Sequence, residues 1–546
     1  MQDTIKKHAL VNAVEFDGKA SVQSVMGKVL GEKPDLKSDM AGLGRETARI
    51  VKEVNSWPLD KQKQELEKFG DIKKPEKVER EGLPPLPNAE KGKVVLRLAP
   101  FPSGALHLGN AKTYMLNAIY AEMYEGKVIL VMDDTIGSEN KLIVPEAYDL
   151  IQDGFRWLGV KWDGPIVYKS DRLELYYKYS KELISKGSAY VCECSSENLR
   201  ENRAKGLDCQ HRKRTIEENA KLFDDMLSGK FKEGQAILRL KTSMQHPNPA
   251  FRDRVLCRIS ERSHPRVGKK YTVWPMLELS WAVDDYLLGV THVIRGKELM
   301  IESDMCKFIW NILGWKSPTL IHSGLLQIEG IKLSKSKAQK EIKSGEYSGW
   351  DDPRTWSIQS MRRRGILPLA IRNFIISLGI AEHEMIVPIE RLYNENKKLI
   401  DSTSNRYFFV SNPVEIKLDK VPIDIVKAPL FPGKEEYRSI PVTNRIFISK
   451  EDFEKNVGKE VRLMHFSNII LNKEATVTGK DLKDVPKIHW VSTDNIKAKI
   501  IMPDAQEIEG LAEPEVANVR ADQVVQFERM GFARCDSKGL FYFSHK

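Results

Sequence analysis

A turn between a short apolar run and a helical pattern carries side chains that could bind phosphate. Residues 97–112 read RLAPFPSGALHLGNAK and follow the β-branched run VVLRL. A loop that leaves a parallel strand and enters a helix lies at the carboxyl edge of a sheet, where open α/β folds bind ligands. Gly104 and Gly109 let a ligand approach the backbone, and His107 and Asn110 add side-chain donors. A structural turn with a surface histidine is the alternative.

A second candidate site is the basic loop in IEGIKLSKSKAQK, residues 328–340. Lys332, Lys335 and Lys337 stand among small and hydroxyl residues, directly after a predicted strand and a glycine turn. A lone loop of this kind is usually solvated. Beside the first turn, its ammonium groups could fold over a triphosphate and stabilise the charge that builds during attack at phosphorus.

Four potential metal ligands cluster in CECSSENLRENRAKGLDCQHR. Cys192, Cys194, Cys209 and His211 have the spacing C-x-C-x14-C-x-H. Three thiolates and an imidazole suit tetrahedral Zn²⁺, and four protein ligands leave no position for an activated water. We therefore predict a structural zinc site. A metal-free fold with reduced cysteines and a vestigial site remain as alternatives.

These candidate sites require a parallel sheet to position them. VVLRL and KVILVM (127–132) are separated by a helix-length segment, which is typical of parallel strands joined by a helix. GVTHVIRG (289–296) and TLIHSGLL (319–326) are predicted as further strands of the same sheet, and about 190–270 as an insertion into it. The sequence thus predicts an α/β domain over residues 91–340.

The segments on either side of this domain have different residue patterns. Residues 1–90 are predicted to form an N-terminal helical extension, with two helices broken at Trp57-Pro58, and a linker over 71–93. Residues 341–404 have a helical pattern. From 405 to 546, short alternating stretches predict one or two small β-barrels or sandwiches. The predicted fold class is therefore multidomain α/β plus β.

Composition and charge limit the cellular setting and the partners. The 546 residues are 41% apolar and 30% charged, which is ordinary for a soluble protein. Without an apolar run of about 18 residues or a signal-peptide pattern, we expect a cytoplasmic protein with no membrane partner. The net charge of +10 indicates a polyanionic partner or merely a basic enzyme. Arg362, Arg363 and Arg364 are candidate phosphate contacts, with a solvated helix face as the alternative.

The two loops together resemble the signature motifs of a known enzyme class. HLGN after a strand and KLSKS downstream resemble the "HIGH" and "KMSKS" motifs of class I aminoacyl-tRNA synthetases. ILVMDDT, FRWLGVKWD, HPNPAFRDRVL and AVDDYLLGVTHVIRGKEL extend the likeness to the archaeal type of glutamyl-tRNA synthetase, over about residues 85–410. The resemblance implies a Rossmann-like catalytic domain with an inserted acceptor-binding zinc subdomain, a helical stem-contact region and a β-barrel anticodon-binding region.

The resemblance also implies an activity and its ATP site. L-Glutamate would react with Mg²⁺-ATP to give glutamyl-adenylate and then pass to the 3′ end of tRNA(Glu), with tRNA(Gln) left open as a second acceptor and a monomer as the default. His107, Asn110, Lys332 and Lys335 would have the catalytic roles. The ATP-binding residues would be Pro102, Ser103, Gly104, His107, Gly109, Asn110, Lys332, Leu333, Ser334, Lys335 and Ser336.

Three charged residues match the amino-acid pocket of that family. Arg97 matches the substrate-binding arginine, and Asp133 matches the acid that holds the α-amino group, although a structural ion pair at strand ends is the alternative. Arg295 favours a γ-carboxylate over a neutral amide, because an unpaired buried charge is costly. The resemblance therefore implies glutamate as the substrate.

Three residues depart from the family pattern and keep other functions open. The family usually has a small or polar residue at Phe101, arginine at Val131 and asparagine at Glu278. A small nucleotidyltransferase, a glutaminyl-tRNA synthetase and a non-catalytic RNA-binding paralogue are the alternatives. The intact HLGN and KLSKS loops favour the active glutamyl enzyme.

Overall fold

The structure is a computed structural model that describes residues 1–69, 82–137, 142–331, 333–431, 433 and 435–546. These residues form two compact units, within Met1–Glu81 and Gly82–Lys546. Lys332 and the first part of the predicted linker, 71–81, lie outside the described residues. In the part of the chain that the structure describes, no helix combines the length and the apolar character that a membrane span requires.

The first unit is a four-helix bundle. Its helices are α1 (Gln2–Glu15), α2 (Val22–Glu32), α3 (Met40–Asn55) and α4 (Leu59–Glu67). Helix α1 packs against the other three through a core that includes Leu10, Val29 and Val54. The predicted break at Trp57-Pro58 is confirmed, because Pro58 cannot donate a main-chain hydrogen bond and stands as the N-cap of α4.

The second unit begins with parallel strands joined by helices. Its first elements are β1 (Val95–Leu98), α5 (Leu108–Met123), β2 (Lys127–Met132), α6 (Ala147–Trp157), β3 (Val167–Tyr168) and α7 (Leu173–Ser185). Strands β1, β2 and β3 pair in parallel in that order. Apolar residues recur along each strand and helix at the period of that element, so they face one side of it. Leu98, Leu116, Leu130 and Phe155 therefore share one buried core. The predicted parallel α/β arrangement is confirmed.

An antiparallel sheet is inserted after α7. It contains β4 (Ala189–Cys192), β5 (Ile237–Leu240), β6 (Val255–Ile259) and β7 (Val273–Pro275), with α8 (Ser196–Lys205) and α9 (Ile216–Leu227) between β4 and β5. Trp274 and Phe223 are fully buried in its core. The cysteine cluster therefore belongs to a subdomain with its own sheet.

The chain then returns to the parallel layer. The returning elements are α10 (Leu277–Leu287), β8 (His292–Gly296), α11 (Met300–Leu313), β9 (Thr319–Ser323) and β10 (Leu326–Ile328). Strands β8 and β9 pair in parallel, but they do not extend the β1 ladder as predicted. The Thr291 hydroxyl accepts from the Val95 N–H at 2.8 Å and replaces a main-chain acceptor, while the Thr291 N–H donates to the Val95 carbonyl at 3.0 Å. One residue pair thus joins the two sheets.

A helical segment connects this layer with the tail. It contains α12 (Lys335–Lys343), α13 (Ile358–Arg363), α14 (Pro368–Leu378), β11 (Met385–Val387) and α15 (Glu390–Ile400). Strand β11 pairs in parallel with β10, so this segment is anchored beside the lysine loop.

The tail is built from two seven-stranded sheets and a hairpin. Its elements are β12 (Asn405–Tyr407), β13 (Phe409–Ser411), β14 (Pro413–Leu418), β15 (Ile425–Pro429), β16 (Tyr437–Pro441), β17 (Arg445–Ser449), α16 (Lys450–Asn456), β18 (Glu460–Leu463), β19 (Asn468–Ile470), β20 (Glu474–Gly479), β21 (Lys487–Ile488), β22 (Val491–Ser492), β23 (Ile496–Ile501), β24 (Glu507–Ala512), β25 (Val524–Phe527), β26 (Gly531–Ser537) and β27 (Leu540–His545). Two separate apolar cores, around Trp490 and Phe541, correspond to the two sheets.

The described end of the predicted linker packs on the core of the parallel α/β domain. Leu86 is buried there, its N–H donates to the Tyr124 hydroxyl at 2.9 Å, and the Pro84 carbonyl accepts from the Tyr120 hydroxyl. Residues 83–87 are therefore part of the second unit, because prolines and a leucine fit the apolar surface beside α5.

Candidate active site and metal centre

The turn after β1 is held by an indole ring. Gly104 has a φ of +147°, and any Cβ at this position would collide with the side chain of Trp350. Trp350 occupies the side of Gly104 on which a Cβ would project, and the role of Gly104 in ATP binding stays a prediction. The glycine is needed for packing between this turn and the segment that follows α12.

His107 stands at the start of α5 with a defined hydrogen-bond role. Its Nδ1 accepts from the N–H of Asn110 at 3.4 Å, so the ring is the N-cap of the helix. Burial, helped by the nearby Lys335 ammonium, lowers the pKa of His107 to about 3. A Cβ at Gly109 would lie 3.2 Å from this ring. His107 is thus neutral near pH 7, with Nε2 carrying the hydrogen.

A cavity of about 770 Å³ opens beside this helix start. It lies at the carboxyl ends of β1 and β8, the edge where parallel sheets bind ligands. Six residues predicted for the site line it: Arg97, His107, Gly109, Asn110, Arg295 and Leu333. The buried side-chain oxygen of Asn110 has no hydrogen-bond donor in the described part of the chain.

The described part of the lysine loop borders this cavity through Ile328, Gly330, Ile331 and Leu333. Lys332 lies outside the described residues. Ser334 caps α12 by accepting from the Lys337 N–H at 3.3 Å, and its hydroxyl lies 3.2 Å from that of Ser336. The remaining predicted ATP contacts are outside the cavity lining; they are Pro102, Ser103, Gly104, Ser334, Lys335 and Ser336.

Arg97 lies at the base of the cavity and is already paired. Its Nε and Nη2 donate to the carboxylate of Asp285, the second contact measuring 3.2 Å, and both residues are buried. Burial opposes the charge, but the carboxylates of Asp285 and Asp133 outweigh it and raise the pKa of Arg97. Arg97 is therefore a fixed cation.

Asp133 lies behind the cavity wall rather than on it. Its carboxylate forms a 2.8 Å ion pair with Lys169, which also donates to the Ser280 hydroxyl at 2.9 Å. Lys169 is fully buried. An incoming ammonium group would have to compete with Lys169 for this carboxylate.

Arg295 is the unsatisfied cation of the cavity. It is 4% exposed, and none of its three guanidinium nitrogens has a hydrogen-bond partner among the described residues. Burial lowers the pKa of Arg295, and the nearby Arg97 charge acts in the same direction. A buried guanidinium without an acidic partner is energetically costly unless a ligand supplies an anion.

Two of the three departures from the family pattern, Glu278 and Val131, have a structural explanation. Glu278 is buried and paired with Arg254, which also donates to Glu302 at 2.6 Å, so Glu278 does not line the cavity. Val131 is a core residue of β2. Phe101 lies on the turn after β1, and its carbonyl accepts from the Ser103 N–H. None of the three side chains enters the cavity.

The arginine triplet does not form one phosphate-binding surface. Arg364 is fully buried and donates to the carbonyl of Ser544 and the hydroxyl of Tyr393, both at 2.8 Å. It joins the helical segment to β27, so its prediction as a tRNA contact is wrong. Arg363 is paired with Asp351 and Asp536. Only Arg362, paired with Asp153 at 3.0 Å, keeps a half-exposed guanidinium.

The four predicted metal ligands converge beside β4. All their ligand atoms lie within 4.8 Å of one another. The Sγ atoms of Cys192 and Cys209 are 3.8 Å apart, and His211 Nδ1 lies 3.4 Å from Cys194 Sγ. The hydrogen bond between Cys192 and Cys209 lowers the pKa of Cys209 to about 4 and raises the pKa of Cys192. The buried Arg239 guanidinium donates to both Cys192 and Cys209.

Several residues of the site have no local sequence signal. Asp285 neutralises Arg97 from 188 residues away in the sequence. Lys169 neutralises Asp133 from 36 residues away. Trp281 lines the cavity, and its indole is surrounded by basic side chains. The only sequence signal for Trp281 and Asp285 is the run WAVDD, which places an aromatic residue and two acidic residues together shortly before a predicted strand.

Comparison with known proteins agrees with this architecture. The catalytic domain of the class I tRNA synthetases (E and Q) matches residues 93–401, and their anticodon-binding domains match residues 404–486 and 487–536. A glutamate–tRNA ligase of Pyrococcus abyssi is 43% identical over 99% of both chains, and one of Methanocaldococcus jannaschii is 41% identical over 98% of both. A solved glutamate–tRNA ligase from Elizabethkingia meningosepticum is 19% identical, covering 57% of this chain and 70% of its own, with a TM-score of 0.41.

The family matches span nearly all of the second unit, and the relatives align along the whole chain. Both motif loops and the tail fall within the matched ranges. The chain therefore belongs to the class I tRNA synthetases of the glutamate and glutamine group.

Proposed function

We propose that this protein is a glutamate–tRNA ligase, which activates L-glutamate with ATP and transfers it to tRNA(Glu). The observation that carries the proposal is Arg295, a buried cation on the cavity wall without an acidic partner in the described residues. A γ-carboxylate would supply the missing charge, whereas the neutral amide of glutamine would not. Curated relatives at about 40% identity carry the same activity in their names.

ATP would lie against the start of α5. The first-turn N–H groups that the His107 cap leaves free would suit its phosphates, and the Nε2 hydrogen of neutral His107 would donate to a phosphate oxygen. Lys332 and Lys335 would approach from the lysine loop. Mg²⁺ bound with ATP would neutralise phosphate charge, and the residues of this chain would act by positioning and electrostatics.

The amino acid would be held by opposite charges. Arg295 would bind the γ-carboxylate, and Arg97, fixed by Asp285, would add a second positive charge at the base of the cavity. Asp133 would receive the α-ammonium after Lys169 yields part of its ion pair. Since one chain supplies all these groups, we propose a monomeric enzyme. We further propose that it acts in the cytoplasm, as expected of an enzyme that charges tRNA for protein synthesis.

The cysteine cluster would hold one structural Zn²⁺. Two sulfurs of a tetrahedral site with Zn–S bonds of about 2.3 Å lie about 3.8 Å apart. The contact between Cys192 and Cys209 has that length. With Cys194 and His211 the coordination would be complete, and the metal would stabilise the inserted sheet.

Charging of total tRNA with labelled glutamate or glutamine tests the proposed function. We expect glutamate to be transferred and glutamine to be rejected by at least about a hundredfold in kcat/KM. Separating tRNA(Glu) from tRNA(Gln) then shows whether both are acceptors. Preferential charging with glutamine would identify a glutaminyl enzyme instead, and no charging with either would favour the RNA-binding paralogue.

A further inference from the structure

Trp281 lies at a meeting point of three basic side chains. The ring is 5% exposed and lines the cavity from α10. The guanidinium carbons of Arg97 and Arg295 are 5.2 and 4.9 Å from its centre, and the Lys169 ammonium is 5.2 Å away. All three distances are within the range in which an indole attracts a cation.

The three cations differ in their other contacts. Arg97 is paired with Asp285, and Lys169 is paired with Asp133. Arg295 has no ion pair in the described part of the chain, and its nitrogens lack hydrogen-bond partners there. The indole of Trp281 attracts the charge of the Arg295 guanidinium without using its N–H groups.

Whether the charge of Arg295 is compensated by an acidic residue or by an aromatic ring matters for ligand binding. An acidic partner would fix Arg295 equally well, but it would occupy the donors that a substrate carboxylate needs. An aromatic ring attracts the cation through its quadrupole and leaves the N–H groups free to donate. Attraction to a desolvated ring is also stronger than to an exposed one, and Trp281 is buried.

We propose that Trp281 is a positioning residue that holds Arg295 ready for the γ-carboxylate of the substrate. This proposal rests on the proposed function, since it needs Arg295 to bind glutamate. Trp281 then affects glutamate binding more than ATP binding, because its ring contacts Arg295, whereas the proposed ATP-binding residues His107, Gly109 and Asn110 lie at the start of α5.

Two variants of Trp281 separate its ring face from its bulk. Trp281→Phe keeps a smaller aromatic face, and Trp281→Leu removes the face while remaining apolar. Trp162→Leu is the matched control, since Trp162 also contacts an arginine, Arg156 at 5.6 Å, but lies outside the cavity lining. The full-length variants are assayed by charging of total tRNA, with KM measured for glutamate and for ATP.

We expect kcat/KM for glutamate to fall about threefold in Trp281→Phe and about tenfold or more in Trp281→Leu, mostly through KM for glutamate. KM for ATP stays within about twofold in both variants, and Trp162→Leu changes neither constant by more than about twofold. Melting temperatures verify that each variant is folded.

Three results overturn the proposal. They are equal losses in the Phe and Leu variants, a rise in KM for ATP as large as that for glutamate, or an unchanged KM for glutamate in a folded Trp281→Leu enzyme. A wild-type enzyme that does not charge tRNA with glutamate overturns the proposed function itself, so the wild-type measurement distinguishes the two failures.

Discussion

Replacement of Arg295 by methionine is expected to separate activity from stability. The substitution removes a cation that is buried and unpaired among the described residues, and it keeps a long flexible side chain. Two charge-assisted hydrogen bonds to a carboxylate contribute about 1.5–3 kcal/mol each. Their loss, about 3–6 kcal/mol, corresponds to a decrease of about 10²- to 10⁴-fold in kcat/KM for glutamate.

We expect Arg295→Met and a matched variant, Arg97→Met, to differ in stability. Removing the unpaired Arg295 charge relieves a desolvation cost, so we expect the melting temperature of Arg295→Met to equal or exceed that of the wild type. Arg97→Met breaks the buried pair with Asp285 and leaves that carboxylate uncompensated, which costs about 3–5 kcal/mol. Its melting temperature should therefore fall.

Tests of this contrast use differential scanning calorimetry and charging kinetics on the same preparations. The reasoning is refuted if Arg295→Met melts as far below the wild type as Arg97→Met does. It is equally refuted if Arg295→Met charges tRNA with glutamate at the wild-type kcat/KM.

Three further predictions concern the ATP site, the cysteine cluster and the tail. His107→Ala should reduce glutamate-dependent ATP–pyrophosphate exchange by at least about tenfold with an unchanged circular dichroism spectrum, and wild-type exchange would contradict its role. Cys209→Ser should lower the zinc content measured by mass spectrometry from one per chain, whereas Cys257→Ser in the same subdomain should keep it. Burial lowers the pKa of His489 to about 3, against about 6.5 in the unfolded chain, so the unfolded state binds more protons between these values. The free energy of unfolding should thus fall as pH drops from 6.5 towards 3, and His489→Gln should flatten this slope; an unchanged slope would contradict the assignment.

The regular parts of the fold could be predicted from local patterns. The β-branched runs at β1 and β2 and the helical segment between them predicted the parallel unit, and the glycine-rich turn placed His107 at the start of α5. The close spacing of cysteines and histidine predicted a cluster that the folded chain assembles beside β4. Such features depend on neighbouring residues, so their periodicity and spacing are visible in the sequence.

Charge partners that are distant in the sequence could not be predicted in this way. Arg364 looks like part of a basic surface run, yet it is buried because β27 supplies acceptors 180 residues later. From the sequence, Glu278 would place an acidic side chain near the pocket. In the structure, Arg254 of the adjacent β-rich subdomain neutralises it. Gly104 looks open until Trp350 packs against it. Each case depends on which elements the tertiary fold brings together, and no local spacing encodes that.

ATP–pyrophosphate exchange tests the central claim most directly, with glutamate or glutamine as the amino acid and with or without total tRNA. The unpaired charge of Arg295 predicts exchange with glutamate and at most trace exchange with glutamine. Exchange driven equally well or better by glutamine would contradict the role given to Arg295 and the glutamate specificity that follows from it.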